Sequence, residues 1–177
     1  YYIKGQEIPF ATKQELEKQL PLLKKKFLYA EDFAKSTLNS LFGEAKLKKA
    51  EKLTANYFAN AILINKGKLE FETAALPFEA QLSSYRTAVT VNANNDNLPD
   101  ILLMGNYYDN NVEIGRQDAD FGTILVNKGK GTFSCESFNG LTIKGQVRKI
   151  KPIQIKGQQA FVLARNDDHL LLIKFKQ

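Results

Sequence analysis

The 177 residues are 44% hydrophobic with a formal charge of +6, one cysteine (Cys135), one histidine (His169) and no tryptophan. That apolar content supports a packed domain and excludes collagen-like and disordered classes. A single Cys excludes an internal disulfide framework and a multi-Cys zinc site, a single His excludes a His-rich metal centre, and no apolar run nears the roughly 18 residues of a membrane span.

In chain order, residues 12–52 read as helical. Thr12 followed by Glu15 is a capping-box pattern, in which the hydroxyl takes an orphan amide and the carboxylate reaches back. Leu16, Leu20, Leu23 and Phe27 recur at helical spacing, and Pro21 predicts a break near Leu20. A second stretch carries Phe33, Leu38 and Leu41 with Gly43 as its stop, and a third runs over 44–52. The lysines in this region (Lys24–Lys26, Lys46, Lys48, Lys49, Lys52) read as a solvated helix face. Acidic residues are interleaved with them and no RNA-reading aromatic motif accompanies them, so no nucleic-acid partner is expected.

From Leu53 the period changes to two. Short runs at 57–64, 85–91, 100–105, 122–126, 147–155, 160–164 and 169–175, separated by Gly, Asn and Asp, predict an all-β region in 53–177 behind a helical segment in 1–52. Ile62–Phe71 matches Ile124–Phe133 at an offset of 62 residues around a shared Asn-Lys-Gly-Lys hairpin turn. Thr87–Val91 then corresponds to Lys149–Ile153, and Leu103–Asn106 to Leu163–Asn166 at an offset of 60, so the second copy is two residues shorter between these strands. About four strands per repeat is the content of a propeller blade. The expected fold is mainly β: a propeller segment of about two four-stranded blades with an N-terminal helical insertion.

The longer copy of that turn is Asn92-Ala93-Asn94-Asn95-Asp96-Asn97-Leu98-Pro99-Asp100. Asn92, Asn94, Asp96 and Asp100 place oxygens at alternate positions, and Leu98 adds a carbonyl. This follows the logic of a calcium loop, and a hydrogen-bonded Asx turn is the competing reading.

The motifs N-K-G-K-G-T-F, N-x-N-x-D-N-x-P-D-I-L-L, E-I-G-R-Q-D-A-D-F-G and G-Q-V-R with V-L-A-R-N-D-D resemble the FG-GAP or VCBS repeats of integrin-α-type propellers. The nearest likeness is to the C-terminal part of bacterial and cartilage-acidic-protein-like members. The resemblance implies an extracellular, cell-surface or periplasmic location and a calcium ion at the blade turn. This chain departs from the family pattern D-x-D-x-D-G-x-x-D by Asn at the first two acidic positions and by Asn97 in place of Gly, which makes the expected calcium site a weak one.

Two polar loops follow equivalent strands: Glu113, Arg116, Asp118 and Asp120, and then Arg165, Asn166, Asp167 and Asp168. They line a shared ligand surface or form an ion-pair network that pins the loops. The expected function is a non-enzymatic interaction module that binds a protein or glycan through a propeller face. The alternative is a carbohydrate-active enzyme, or its accessory domain, working through Glu113, Asp118 and Asp120. His169 beside Asp167 and Asp168 lacks a nucleophile motif, and Cys135 reads as an inert thiol. At roughly 40 to 60 residues per blade the chain is too short to close a ring alone. With its start at Tyr1, it therefore reads as part of a larger propeller whose remainder, or another copy, covers the open edges.

Overall fold

The structure, a computed structural model, describes residues 2–137 and 142–175. The chain divides into two compact units, residues 1–56 and 57–177. Among the described residues no helix is long and apolar enough to cross a membrane.

The first unit opens with a small hairpin of β1 (Tyr2–Ile3) and β2 (Gln6–Glu7). Five short helices follow: α1 (Lys13–Gln19), α2 (Leu23–Lys26), α3 (Ala30–Ala34), α4 (Leu38–Phe42) and α5 (Glu44–Leu47). The capping box forms as expected: the Thr12 hydroxyl accepts from the Glu15 amide, and the Thr12 amide donates to Glu15 Oε2 at 2.7 Å. These bonds, the backbone one foremost, hold the Glu15 carboxyl below its ordinary value. The chain leaves α1 at Leu20, because the residue before a proline is pushed out of helical geometry. The expected second helix is two helices. Thr37 opens α4 with its own box, its hydroxyl accepting from the Ser40 amide at 3.2 Å and its amide donating to Ser40 Oγ at 2.8 Å. Gly43, at φ +81°, ends α4. Leu23, Phe27 and Leu41 form the buried centre of this unit. Lys26 donates to the carbonyls of Ser40 and Leu41, a cation at the C-terminal end of α4.

The second unit is antiparallel β. The strands β3 (Ala61–Gly67) and β4 (Glu70–Ala75) form a hairpin, followed by a 3-10 turn at Phe78–Gln81. Next, β5 (Tyr85–Val91), β6 (Asp100–Gly105), β7 (Thr123–Asn127) and β8 (Phe133–Ser137) form a four-stranded meander. Last, β9 (Val147–Ile155), β10 (Gln158–Arg165) and β11 (Leu171–Ile173) form a three-stranded sheet. The expectation of two four-stranded blades is thus corrected to one four-stranded sheet between a hairpin and a three-stranded sheet. Among the described residues these do not close into a ring. The sequence repeat opens on β3 and again on β7, the third strand of the meander, so each copy straddles two sheets.

The two matched hairpins turn alike. Asn65 Oδ1 accepts from the Gly67 amide and Asn127 Oδ1 from the Gly129 amide, both at 2.8 Å. Three successive positive φ angles then run over Gly67, Lys68 and Leu69 (87°, 51°, 64°) and over Gly129, Lys130 and Gly131 (81°, 55°, 78°). Gly meets the positive φ at low cost, and Asn suits the start of the turn because its side-chain oxygen accepts from the amide two residues on.

The meander is buried on both faces. On one face Val91, Leu102, Met104, Ile124 and Val126 pack with Val147, Ile150, Phe161 and Leu163 of the three-stranded sheet. On the other, Leu103 and Leu125 pack with Ala80, Leu76 and Tyr85. Complete burial of a side chain such as Leu102 or Met104 contributes about 1.5–3 kcal/mol, so these two layers hold the second unit together.

Candidate functional site

At one end of the meander, where β5 and β9 begin and β6 and β10 end, a buried polar network sets the backbone. Asn106 is almost fully buried at φ 76°. Its Oδ1 accepts from Ser83 Oγ (2.7 Å) and the Asp120 amide (3.0 Å), and its Nδ2 donates to the carbonyls of Asp120 (2.8 Å) and Gly145 (3.0 Å). The Gly145 bond ties the meander to the segment entering β9. Asp120 accepts from the amides of Gly105 (2.8 Å) and Gly122 (3.1 Å) and from Thr123 Oγ1 (3.2 Å). Burial raises its carboxyl above the ordinary value, outweighing the three bonds that favour the charged form. Thr123 Oγ1 also meets the Tyr85 hydroxyl at 2.9 Å, and burial pushes that phenol up to about 12.

On this frame sits a cluster of arginines and tyrosines. Tyr85 pairs with Gly105 and Thr87 with Met104, so Arg86 is an extra, bulged residue of β5. Val147 pairs with Arg165 and Lys149 with Ala164, so Arg148 is the extra residue of β9. A bulge re-aims the side chain it carries. Both bulged arginines reach the same ring: Arg86 Cζ lies 4.7 Å and Arg148 Cζ 6.0 Å from the centre of Tyr107. Arg116 Cζ lies 5.0 Å from the centre of Tyr108. Arg148 Nη2 also pairs with Asp109 at 3.1 Å. Backbone bonds between Tyr107 and Gln117 (2.8 and 2.9 Å) hold both ends of the intervening loop together. At the loop tip Val112 is 95% exposed and Ile114 56%.

The residues singled out from sequence fall in different places. Glu113 lies at the exposed loop tip, Arg116 faces Tyr108, and Asp118 is exposed with no ion pair among the described residues. Asp120 is corrected from ligand contact to buried support, because its carboxylate is enclosed by the groups it accepts from. Arg165 pairs with Asp168 at 2.6 Å and donates to the carbonyls of Lys144 and His169, both at 3.1 Å. The Asn166 amide donates to the Gln146 carbonyl at 2.9 Å, and its side chain to Asp167 at 3.2 Å. The two polar loops are joined through the segment entering β9, not through the acids expected to face each other: Asn106 bonds Gly145 and Asp109 pairs with Arg148, while Arg165 bonds the Lys144 carbonyl and the Asn166 amide that of Gln146. His169 is exposed ahead of β11, and burial raises the Cys135 thiol on β8. Arg86, Arg148 and Tyr107 were not singled out as site residues. The available signal was the 62-residue spacing of Arg86 and Arg148, the same offset as the hairpins, in a chain with four arginines.

At the opposite end of the meander lies the Asn-rich loop. Asp100 is fully buried, its Oδ2 accepting from the Ala93 amide and its Oδ1 from the Asn127 amide, both at 2.8 Å. Asp96 accepts from Asn94 Nδ2 (2.7 Å) and the Leu98 amide (2.8 Å), and its own amide donates to Asn94 Oδ1 (3.1 Å). Asn95 and Asn97 take left-handed geometry at φ 60° and 65°. Calcium wants six to eight oxygens with several carboxylates. Here two carboxylates, both directed at N–H groups, do not fit that ion, and the loop closes as a series of Asx turns. Among the described residues no three of His, Cys, Asp and Glu gather as a metal site.

Compared with family models, with curated proteins and with solved structures, the chain finds no match in any of the three.

Proposed function

We propose that this chain is an interaction module of the FG-GAP or VCBS propeller type, working outside the cell or in the cell envelope, and that it binds a protein partner through the arginine–tyrosine end of its sheets. The carrying observation is that Arg86 and Arg148, equivalent bulge residues of two successive sheets, converge on Tyr107 beside the Arg116–Tyr108 pair. Arginine and tyrosine are enriched where protein interfaces hold most of their binding energy, and apolar tips such as Val112 and Ile114 add desolvating contact. The propeller assignment draws support from the four-stranded meander, its face-to-face packing on the next sheet, and the matching turns of the two hairpins. The edge of β3 left open by its hairpin, and that of β11, suit further strands, from the remainder of a propeller or from another copy. The enzymatic alternative loses one of its acids, since buried Asp120 is out of reach of a substrate.

A photo-crosslinking amino acid at exposed Asp109 tests this reading in the cells that make the protein. A discrete adduct is expected there, lost in Arg86→Ala/Tyr107→Ala, with none from the same probe at Lys151. Equal labelling at both positions, or an adduct indifferent to the double substitution, would overturn it.

A further inference from the structure

We propose that the cleft between the β5–β6 loop and the β9–β10 turn binds a neutral saccharide. It encloses about 510 Å³, within the usual range for small-molecule sites. Four carboxamides line it: Asn92 and Asn95 from the loop, and Gln158 and Gln159 from the start of β10. Phe175 adds an aromatic surface, held by an edge-to-face contact with Phe161 (ring centres 5.8 Å apart, planes at 83°). A carboxamide offers donors and an acceptor in one plane, which is what adjacent sugar hydroxyls require, since each both donates and accepts. The side chains of Asn92, Asn95 and Gln159 are exposed and hold no hydrogen bond among the described residues, so their heads are available. None of the lining residues is acidic, which disfavours a cation, and the one cation, Lys174, is turned onto Gln158, so the groups left to meet a ligand are chiefly uncharged carboxamides.

The loop that forms one wall has a reason to be long. It occupies residues 92–99, whereas in the second copy, two residues shorter here, β9 and β10 stay paired past the equivalent positions and turn through Lys156 and Gly157 alone. Asp100 latches it at the Ala93 amide and the Asp96 turn stiffens it, so the Asn side chains are presented from a fixed backbone. The loop has no use for calcium in this arrangement; its length builds a wall.

The experiment is a panel of immobilised neutral and acidic oligosaccharides, followed by calorimetric titration of the best neutral binder. Saturable binding of at least one neutral oligosaccharide is expected, weakened roughly tenfold or more in Asn95→Ala/Gln159→Ala, whose side chains carry direct contacts. The melting temperature of that variant should stay that of the parent, since both residues are exposed. Arg86→Ala/Tyr107→Ala should bind the sugar normally, which separates this cleft from the protein-binding end. Retention of no neutral oligosaccharide, or of acidic ones only, would overturn the proposal, as would binding that the Asn95/Gln159 variant leaves unchanged.

Discussion

Asp100 is where a calcium ligand and a backbone latch make opposite demands. Its two oxygens accept from the Ala93 and Asn127 amides at 2.8 Å, and the residue is fully buried. Replacing it by Asn turns an NH2 group toward one of those amides and leaves that N–H without an acceptor. Such a loss costs about 1–3 kcal/mol when buried, and the half-buried Ala93 and Asn127 argue for the lower part, about 1–2 kcal/mol. Asp100→Ala orphans both amides and should cost about 2–4 kcal/mol on the same basis. For a unit the size of residues 57–177, each kcal/mol lowers the melting temperature by roughly 4 °C. Urea and thermal melts of parent and both variants, each in excess calcium and in chelator, decide the matter. The latch reasoning expects the drops to be the same in both buffers, and the parent to melt identically in both. A ligand that binds only the folded state adds RT ln(1 + [L]/Kd), so a parent stabilised by calcium, with the gain lost in Asp100→Asn, would refute the reasoning.

Gly105→Ala should unfold the second unit or cost more than about 3 kcal/mol, because a Cβ there would lie 1.9 Å from the Ser84 carbonyl oxygen; loss of the cooperative melt, followed by circular dichroism, is the readout. Asp120 is raised above its ordinary 3.8 in the fold, so its contribution is fully present below that value and is lost as pH rises through the folded-state value. Urea midpoints of parent and Asp120→Asn across pH 3.5 to 7 should therefore show the parent's advantage shrinking as pH rises; an advantage that grows would count against the burial argument. Thr12→Ala and Thr37→Ala should each cost the first unit about 1 kcal/mol, seen as faster hydrogen exchange over α1 or α4. Arg165→Ala should lower stability of the second unit, since its donors meet Asp168 and two carbonyls, whereas Arg86→Ala, whose guanidinium meets only a ring among the described residues, should cost no more than the roughly 0.5–1 kcal/mol of an exposed cation–π contact.

Local chemistry was legible in the sequence to the extent that it is local. The bounds of β5, β6 and β9 follow from alternation and turn residues, and α1 from Thr12, Glu15 and Pro21. The box at Thr37 escaped because its N3 residue is Ser, where the pattern sought Glu or Gln. The division into sheets escaped for a different reason. The Asn-Lys-Gly-Lys hairpins are the strongest local signal, but sheets are bounded by long-range pairs such as Ile101 with Leu125 and Thr87 with Met104. A repeat has no intrinsic start, so its strongest segment was mistaken for its first. Spacing alone could not tell Asp118 from Asp120: both precede β7, but only Asp120 comes back against the Gly105 amide. The rings and guanidinium groups around Tyr107 come from residues 21 and 41 positions away, beyond any periodicity, although the repeat offset linked Arg86 to Arg148.

The two proposed sites lie at opposite ends of the meander, and the strand geometry makes them separately testable. β5 is seven residues long, so its bulge at Arg86 and its exit at Asn92 lie roughly 20 Å apart. The arginine–tyrosine end and the carboxamide cleft therefore share no side chain, and each has its own support, Asn106 with Asp120 at one end and Asp100 at the other. Within the arginine end the same separation recurs on a smaller scale. Arg165 is enclosed by protein acceptors and acts as a fastener, while the exposed Arg86 and Arg116 have only aromatic partners among the described residues. Guanidinium groups stacked on rings keep their donors for a partner while their orientation is already set, which lowers the ordering cost of binding. Among the described residues Arg86 has no side-chain acceptor beside it, unlike Arg165 and Arg148, and that is the feature of the cluster that favours a binding role over loop fastening.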